Sequence, residues 1–136
     1  MGLKVYFDTC LTIYLVEEHS VFSEPLEALI ANEGQINICS SHLAELECLV
    51  VPFRLESPDL IRKFNNWFSV ITVFDHPREV FEQAARLRAA SSRLRTPDAI
   101  HLATAVRFGC DEFWTNDNRL AGIGGLTVRN IFETDS

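Results

Sequence analysis

Short apolar runs alternate along the chain with longer stretches whose apolar residues recur at helical spacing. The first run, Lys4-Val5-Tyr6-Phe7-Asp8, lacks polar alternation and ends in a carboxylate. Such a run reads as a strand buried on both faces of a parallel sheet. Leu11 to Glu17 follows as a helix, and Ser23-Glu24-Pro25 opens a second one through Ile30, with Ser23 as its predicted N-cap. Asn32-Glu33-Gly34 stops that helix, and Gln35 to Cys39 is the second predicted strand. Ser40-Ser41 then caps a helix reaching Val51, where Pro52 predicts an end or a kink. Ser57-Pro58-Asp59 starts a helix through Phe68, Val70 to Phe74 reads as the third strand, and Asp75-His76-Pro77-Arg78-Glu79 opens a long helix to Ala90. After a polar joint from Ser91 to Arg95, Thr96-Pro97-Asp98 begins a helix that ends near Phe108-Gly109. Asp111 to Thr115 and Leu126 to Arg129 complete the strands. Strands alternating with helices predict an α/β three-layer sandwich: a central parallel sheet of four to five strands flanked by helices, in a single domain over residues 1–136.

Composition narrows the class. A content of 47% hydrophobic residues over 136 positions supports one real core. No apolar run approaches the ~20 residues of a membrane span, and no basic segment followed by a long apolar stretch opens the chain, so a cytoplasmic protein without a membrane partner is expected. The four cysteines, Cys10, Cys39, Cys48 and Cys110, form no C-x-x-C pair and read as reduced core residues. A net charge of −7 argues against an indiscriminate polyanion binder. One local exception stands out: Arg86, Arg88, Arg93 and Arg95 fall within ten positions and read either as a phosphate contact or as a solvated helix end.

Four acids carry the candidate chemistry. Asp8 follows the first strand, at the sheet edge where ligands of open α/β folds bind, although capping the next helix is its competing role. Leu43, Leu46 and Val50 lie at i, i+3 and i+7, and Glu47 at i+4 of that stripe, which predicts Glu47 inward and Glu45 more outward. An inward carboxylate requires a salt bridge, hydrogen bonds or a metal. Asp98 occupies the first turn of a nearly all-apolar helix, where the helix dipole alone also favours an acid. Asp117 follows the fourth strand, where its alternative is a turn. Converging carboxylates repel, and hard divalent cations remove that penalty. Without a Cys/His ligand pattern, Mg²⁺ is expected, with Mn²⁺ as a substitute. His101, one turn after Asp98, reads as a satisfied core histidine in preference to a partner for that acid. His19 and His42 read as surface residues, and Phe64, Trp67 and Phe68 as packing for a helix pair or dimer face.

Four segments together resemble the PIN-domain family and, more narrowly, the VapC-type toxin ribonucleases of bacterial toxin–antitoxin pairs. These are the strand ending in Asp8-Thr9, the stretch from Ser41 to Pro52, the run from Thr96 to Ala105, and Thr115-Asn116-Asp117-Asn118-Arg119-Leu120. The family's acids map onto Asp8, Glu47, Asp98 and Asp117, and a Ser six residues before the acid with a Pro five after it selects Glu47. The resemblance implies a PIN-like fold, often dimeric, with divalent-metal-dependent endonucleolytic cleavage of RNA and inhibition by a small cognate antitoxin. On that reading Asp8 and Asp98 are the primary metal ligands. Glu47 and Asp117 complete the catalytic set, and Thr9, Thr115, Asn116 and Arg95 are candidate substrate contacts.

Two other readings compete. Phosphoryl-transfer enzymes on a similar sheet need a second acid beside or two after the first and a later lysine, whereas Asp8 is followed by Thr9-Cys10 and the only lysines are Lys4 and Lys63. A PIN-like module that holds RNA or a partner without cutting is favoured by a missing acid, and none is missing.

Overall fold

The computed structural model describes residues 2–120 and 125–132. Its elements run β1 (Leu3–Phe7), α1 (Thr9–Val16), α2 (Ser23–Asn32), β2 (Ile36–Ser41), α3 (His42–Arg54), α4 (Pro58–Val70), β3 (Thr72–Phe74), α5 (Arg78–Ala90), α6 (Thr96–Arg107), β4 (Glu112–Thr115) and β5 (Thr127–Asn130), with a short 3₁₀ turn at Asn118–Leu120. The five strands form one sheet in the order β3-β2-β1-β4-β5, and every neighbouring pair is parallel. The chain therefore winds outward from β1 in one direction to β2 and β3, and returns beside it to β4. That reversal opens a crevice beyond the carboxyl ends of β1 and β4, the usual place for a ligand in such a sheet.

The central strand is buried on both faces, as its uninterrupted apolar run predicts: Val5, Tyr6 and Phe7 are all inaccessible. Side chains alternate across a strand. Val5 and Phe7 accordingly join Leu11, Leu26 and Trp114 in one core cluster, and Tyr6 joins Phe113, Ala99 and Leu102 in another. A third cluster packs Ala44 and Cys48 of α3 against Phe64 and Phe68 of α4, the helix pair expected for those aromatics. All four cysteines are free thiols. Among the described residues no helix is long and apolar enough to cross a membrane.

Several boundaries differ from the sequence reading for local reasons. Val70 ends α4 instead of opening β3. Ser23 is the first helical residue of α2, and the preceding Phe22 makes no side-chain cap. Pro52 does not end α3: it is buried on the inward side with Ala44 and Cys48, and the helix runs on to Arg54. Ser41 and Ser57 cap α3 and α4 through their hydroxyls, accepting from Ala44 N–H and Leu60 N–H. Gly109, at φ +70, lets Cys110 N–H close back on the Ala105 carbonyl and sends the chain from α6 into β4.

Candidate active site

Asp8 stands where β1 stops. Phe7 pairs with Trp114 of β4, and Asp8 N–H continues the ladder to the Trp114 carbonyl at 2.9 Å. This register sets Asp8 beside Thr115, whose hydroxyl donates to Asp8 Oδ2 at 2.7 Å. The other oxygen, Oδ1, accepts Thr9 N–H at 2.9 Å, so Asp8 does cap α1 while facing the crevice. Burial, the largest influence, lifts the Asp8 carboxyl above its ordinary range. His101, Thr115 and Thr9 oppose the rise, and the Asp98 charge adds to it.

Glu47 is reached through the next residue. Thr9 Oγ1 donates to Glu47 Oε1 at 2.7 Å, and His101 Nε2 lies 2.6 Å from the same oxygen. Burial pushes the Glu47 carboxyl up, but the hydrogen bonds and charge of its neighbours outweigh it and hold the group below the usual glutamate value. The predicted stripe of α3 is corrected here. Leu46 is 60% exposed and Val50 41%, and the inward residues are Ala44, Cys48 and Pro52. With successive residues about 100° apart, Glu47 lies roughly 60° from Ala44, at the border of the true inward face. Glu47 reaches the cleft from that border and not from a Leu43-Leu46-Val50 core stripe. Glu45 is not the more outward of the two acids, its side chain being 29% exposed against 30% for Glu47, and it pairs with His42.

Asp98, at the start of α6, accepts Arg95 N–H through Oδ2 at 3.1 Å and so helps cap its own helix. Asp117 follows β4; its N–H donates to Thr115 Oγ1 at 3.0 Å, so one threonine oxygen joins Asp8 to the Asp117 loop. Arg119 forks onto Asp117 and lies 3.6 Å from Asp98. The guanidinium beside Asp117 is the main reason its carboxyl sits below the ordinary range. Arg119 also feels the Asp8 charge. The four predicted acids are thus linked around the carboxyl ends of β1 and β4 through Thr9, Thr115 and Arg119. Asn116 turns aside to Tyr14, where its Nδ2 donates to the phenol oxygen at 3.1 Å, and Thr115 is wholly buried. Arg93 and Arg95 are exposed, Arg95 with its backbone N–H on Asp98, whereas Arg88 is tied to Leu94 and Thr96. Sequence reasoning assigned no role to Arg119 or Tyr6, and placed His101 in the core without its partners.

The oxygen-only donor set suits a hard cation. Among the described residues no three His, Cys, Asp or Glu side chains converge as a ready-made cage. Mg²⁺ needs none, since it takes one or two carboxylates and keeps several waters. Asp8 is half-buried, makes no salt bridge among the described residues, and is raised first by burial and then by the Asp98 charge, a situation that a divalent ion would relieve. The Cys10 thiol is pushed up to about 12 by burial and by Asp8, so it offers no thiolate ligand or nucleophile.

The PIN domain family model matches residues 5–126, and the chain belongs to the PIN-domain family. Its fold is that of the toxins in solved toxin–antitoxin assemblies. A toxin–antitoxin complex from Klebsiella pneumoniae aligns with a TM-score of 0.77 at 22% identity, over 96% of this chain and 99% of that one. VapBC2 from Rickettsia felis, bound to a promoter DNA fragment, aligns at 0.72 and 14% identity, over 93% and 98%. VapC20 of Mycobacterium tuberculosis, a toxin that cleaves the sarcin–ricin loop, aligns at 0.70 and 16% identity, over 90% and 98%. No curated protein matches the chain by sequence.

Proposed function

We propose that this chain is a divalent-metal-dependent endoribonuclease and the toxin of a toxin–antitoxin pair, acting in the cytoplasm. The observation that carries the reading is the linkage of Asp8, Glu47, Asp98 and Asp117 through Thr9, Thr115 and Arg119 at the carboxyl ends of β1 and β4 in a PIN fold. Asp8 and Asp98 are the residues that would hold Mg²⁺ or Mn²⁺, with Glu47 and Asp117 beside them. Such an ion, when bound, supplies charge neutralisation and an acidified water for phosphodiester hydrolysis. The chain's own part is orientation. Thr115 and Thr9 fix the two Asp8 oxygens. Glu47, held below its usual pKa, stays ionised at neutral pH, and both of its hydrogen bonds fall on one oxygen, Oε1. Arg93 and Arg95 lie exposed where an RNA phosphate flanking Asp98 would run. Support for a small antitoxin as partner comes from the solved neighbours, which are toxin–antitoxin assemblies. Support for a homodimer comes from Leu46, Val50 and Phe53, exposed at i, i+4 and i+7 on α3.

The rival reading, a PIN module that holds RNA without cutting, draws on one observation: Arg119 neutralises two of the acids. Incubation of a labelled RNA pool with Mg²⁺, comparing wild type with Asp98→Asn, separates the two. Cuts that require both the ion and Asp98 establish the nuclease. RNA retention without cuts in wild type establishes the binding module.

A further inference from the structure

A buried chain of hydrogen bonds runs behind Glu47. Ser41 Oγ and Tyr6 Oη are 2.7 Å apart, Tyr6 Oη and His101 Nδ1 are 2.6 Å apart, and His101 Nε2 meets Glu47 Oε1 at 2.6 Å. Ser41 and Tyr6 are inaccessible and His101 is 2% exposed, whereas the Glu47 side chain keeps 30% of its surface.

The direction of the chain follows from donor counting. Ser41 Oγ already accepts Ala44 N–H at 3.3 Å, so its own proton is free to point at Tyr6. Tyr6 then donates to His101 Nδ1, which leaves the imidazole proton on Nε2, aimed at Glu47. In the opposite direction Ser41 Oγ would accept twice and its buried proton would lack an acceptor among the described residues. One arrangement satisfies every group. It ends in an N–H fixed on a single carboxylate oxygen, and Thr9 donates to that same oxygen. Among the described residues no hydrogen bond reaches Glu47 Oε2.

The placement of these residues matters as much as their bonds. Tyr6 lies on β1, two positions before Asp8, which directly follows the strand. His101 follows Asp98 by one turn of α6, and Ser41 caps α3, the helix that carries Glu47. A single relay therefore ties together the three elements that present Asp8, Asp98 and Glu47.

We propose that His101, set by Tyr6 and Ser41, is a positioning residue that turns Glu47 so that Oε1 faces the protein and Oε2 is left free, where it would serve a bound metal. This role rests on the nuclease reading above. It does not make His101 a catalytic residue, since among the described residues the imidazole hydrogen-bonds only to Glu47, Thr9 and Tyr6.

The test is a Mn²⁺ titration of the full chain, followed by calorimetry or by the Mn²⁺ spin-resonance signal. His101→Leu is expected to weaken Mn²⁺ binding by roughly 10- to 100-fold, the range found when a ligand loses its orienting partner. His101→Gln, which carries an N–H where Nε2 stood, is expected to recover binding to within a few fold of wild type, as a merely space-filling histidine would not. Tyr6→Phe removes one oxygen and serves if His101→Leu fails to fold; it is expected to weaken binding in the same direction. Mn²⁺ affinity in His101→Leu or Tyr6→Phe equal to a wild type that binds overturns the positioning role and leaves the nuclease reading intact. A wild type that binds no Mn²⁺ overturns both.

Discussion

Arg119 and Asp98 face each other across the mouth of the acidic crevice, with the guanidinium 3.6 Å from Asp98 Oδ2 while it also forks onto Asp117. A cation of the chain itself therefore sits where a divalent ion would draw its ligands, and the two compete. Replacing Arg119 by Gln frees Asp117 and Asp98 and removes a repelling charge. Mn²⁺ affinity is predicted to rise, by up to about 5-fold for a pair this exposed. A calorimetric titration checks it, and unchanged or weaker binding would show that Arg119 assists the site.

Thr115 serves two acids with one oxygen, donating to Asp8 Oδ2 and accepting the Asp117 N–H. Thr115→Val keeps the shape and deletes both bonds. Metal-dependent cleavage is predicted to fall by roughly 10-fold or more, and Thr115→Ser to retain most of it. Equal rates for Val and Ser would show that the hydroxyl does no orienting.

His76 gives the fold a pH dependence that is separate from the acids. Its Nε2 accepts Leu43 N–H at 3.1 Å at the start of α3, and only a ring with that nitrogen unprotonated can do so. Burial, then the nearby His101 and His42, lower its pKa, and Asp75 partly opposes them. A histidine depressed in the fold contributes stability in full above its unfolded value, about 6.5, and loses it as pH falls through the lower folded value. Urea midpoints are predicted to drop between about pH 7.5 and about pH 5, and to drop less in His76→Gln, whose amide oxygen accepts at either pH. Equal losses in both proteins would place the sensitivity elsewhere.

The architecture was legible because β1 is so plainly apolar on both faces and because Ser57-Pro58 and Thr96-Pro97 mark helix starts without tertiary help. Asp8, Asp98 and Asp117 were legible as acids that terminate strands or begin a helix. Glu47 was chosen on its motif spacing and on its helical face; it does lie beside Thr9 and His101, but the helical-face argument failed. On α3 the large apolar residues Leu46 and Val50 point outward, and the inward face is built from the small Ala44 and Cys48. A rule that weighs side-chain size cannot see that inversion. The relay through Tyr6 was not legible either: its partners lie 35 and 95 positions away in the chain. Arg119, two residues from Asp117, was within reach of local reasoning, because a short acid–arginine spacing in a turn favours a fork.

The central claim is that Asp8 and Asp98 build a divalent-metal site at the β1/β4 crevice. Mn²⁺ binding to wild type, Asp8→Asn and Asp98→Asn, with circular dichroism to confirm that each is folded, tests it most directly. The account predicts saturable binding by wild type and a loss of roughly 10-fold or more in each folded variant, since each removes a charged ligand oxygen. Wild-type affinity in both folded variants would contradict it and move the metal away from these acids.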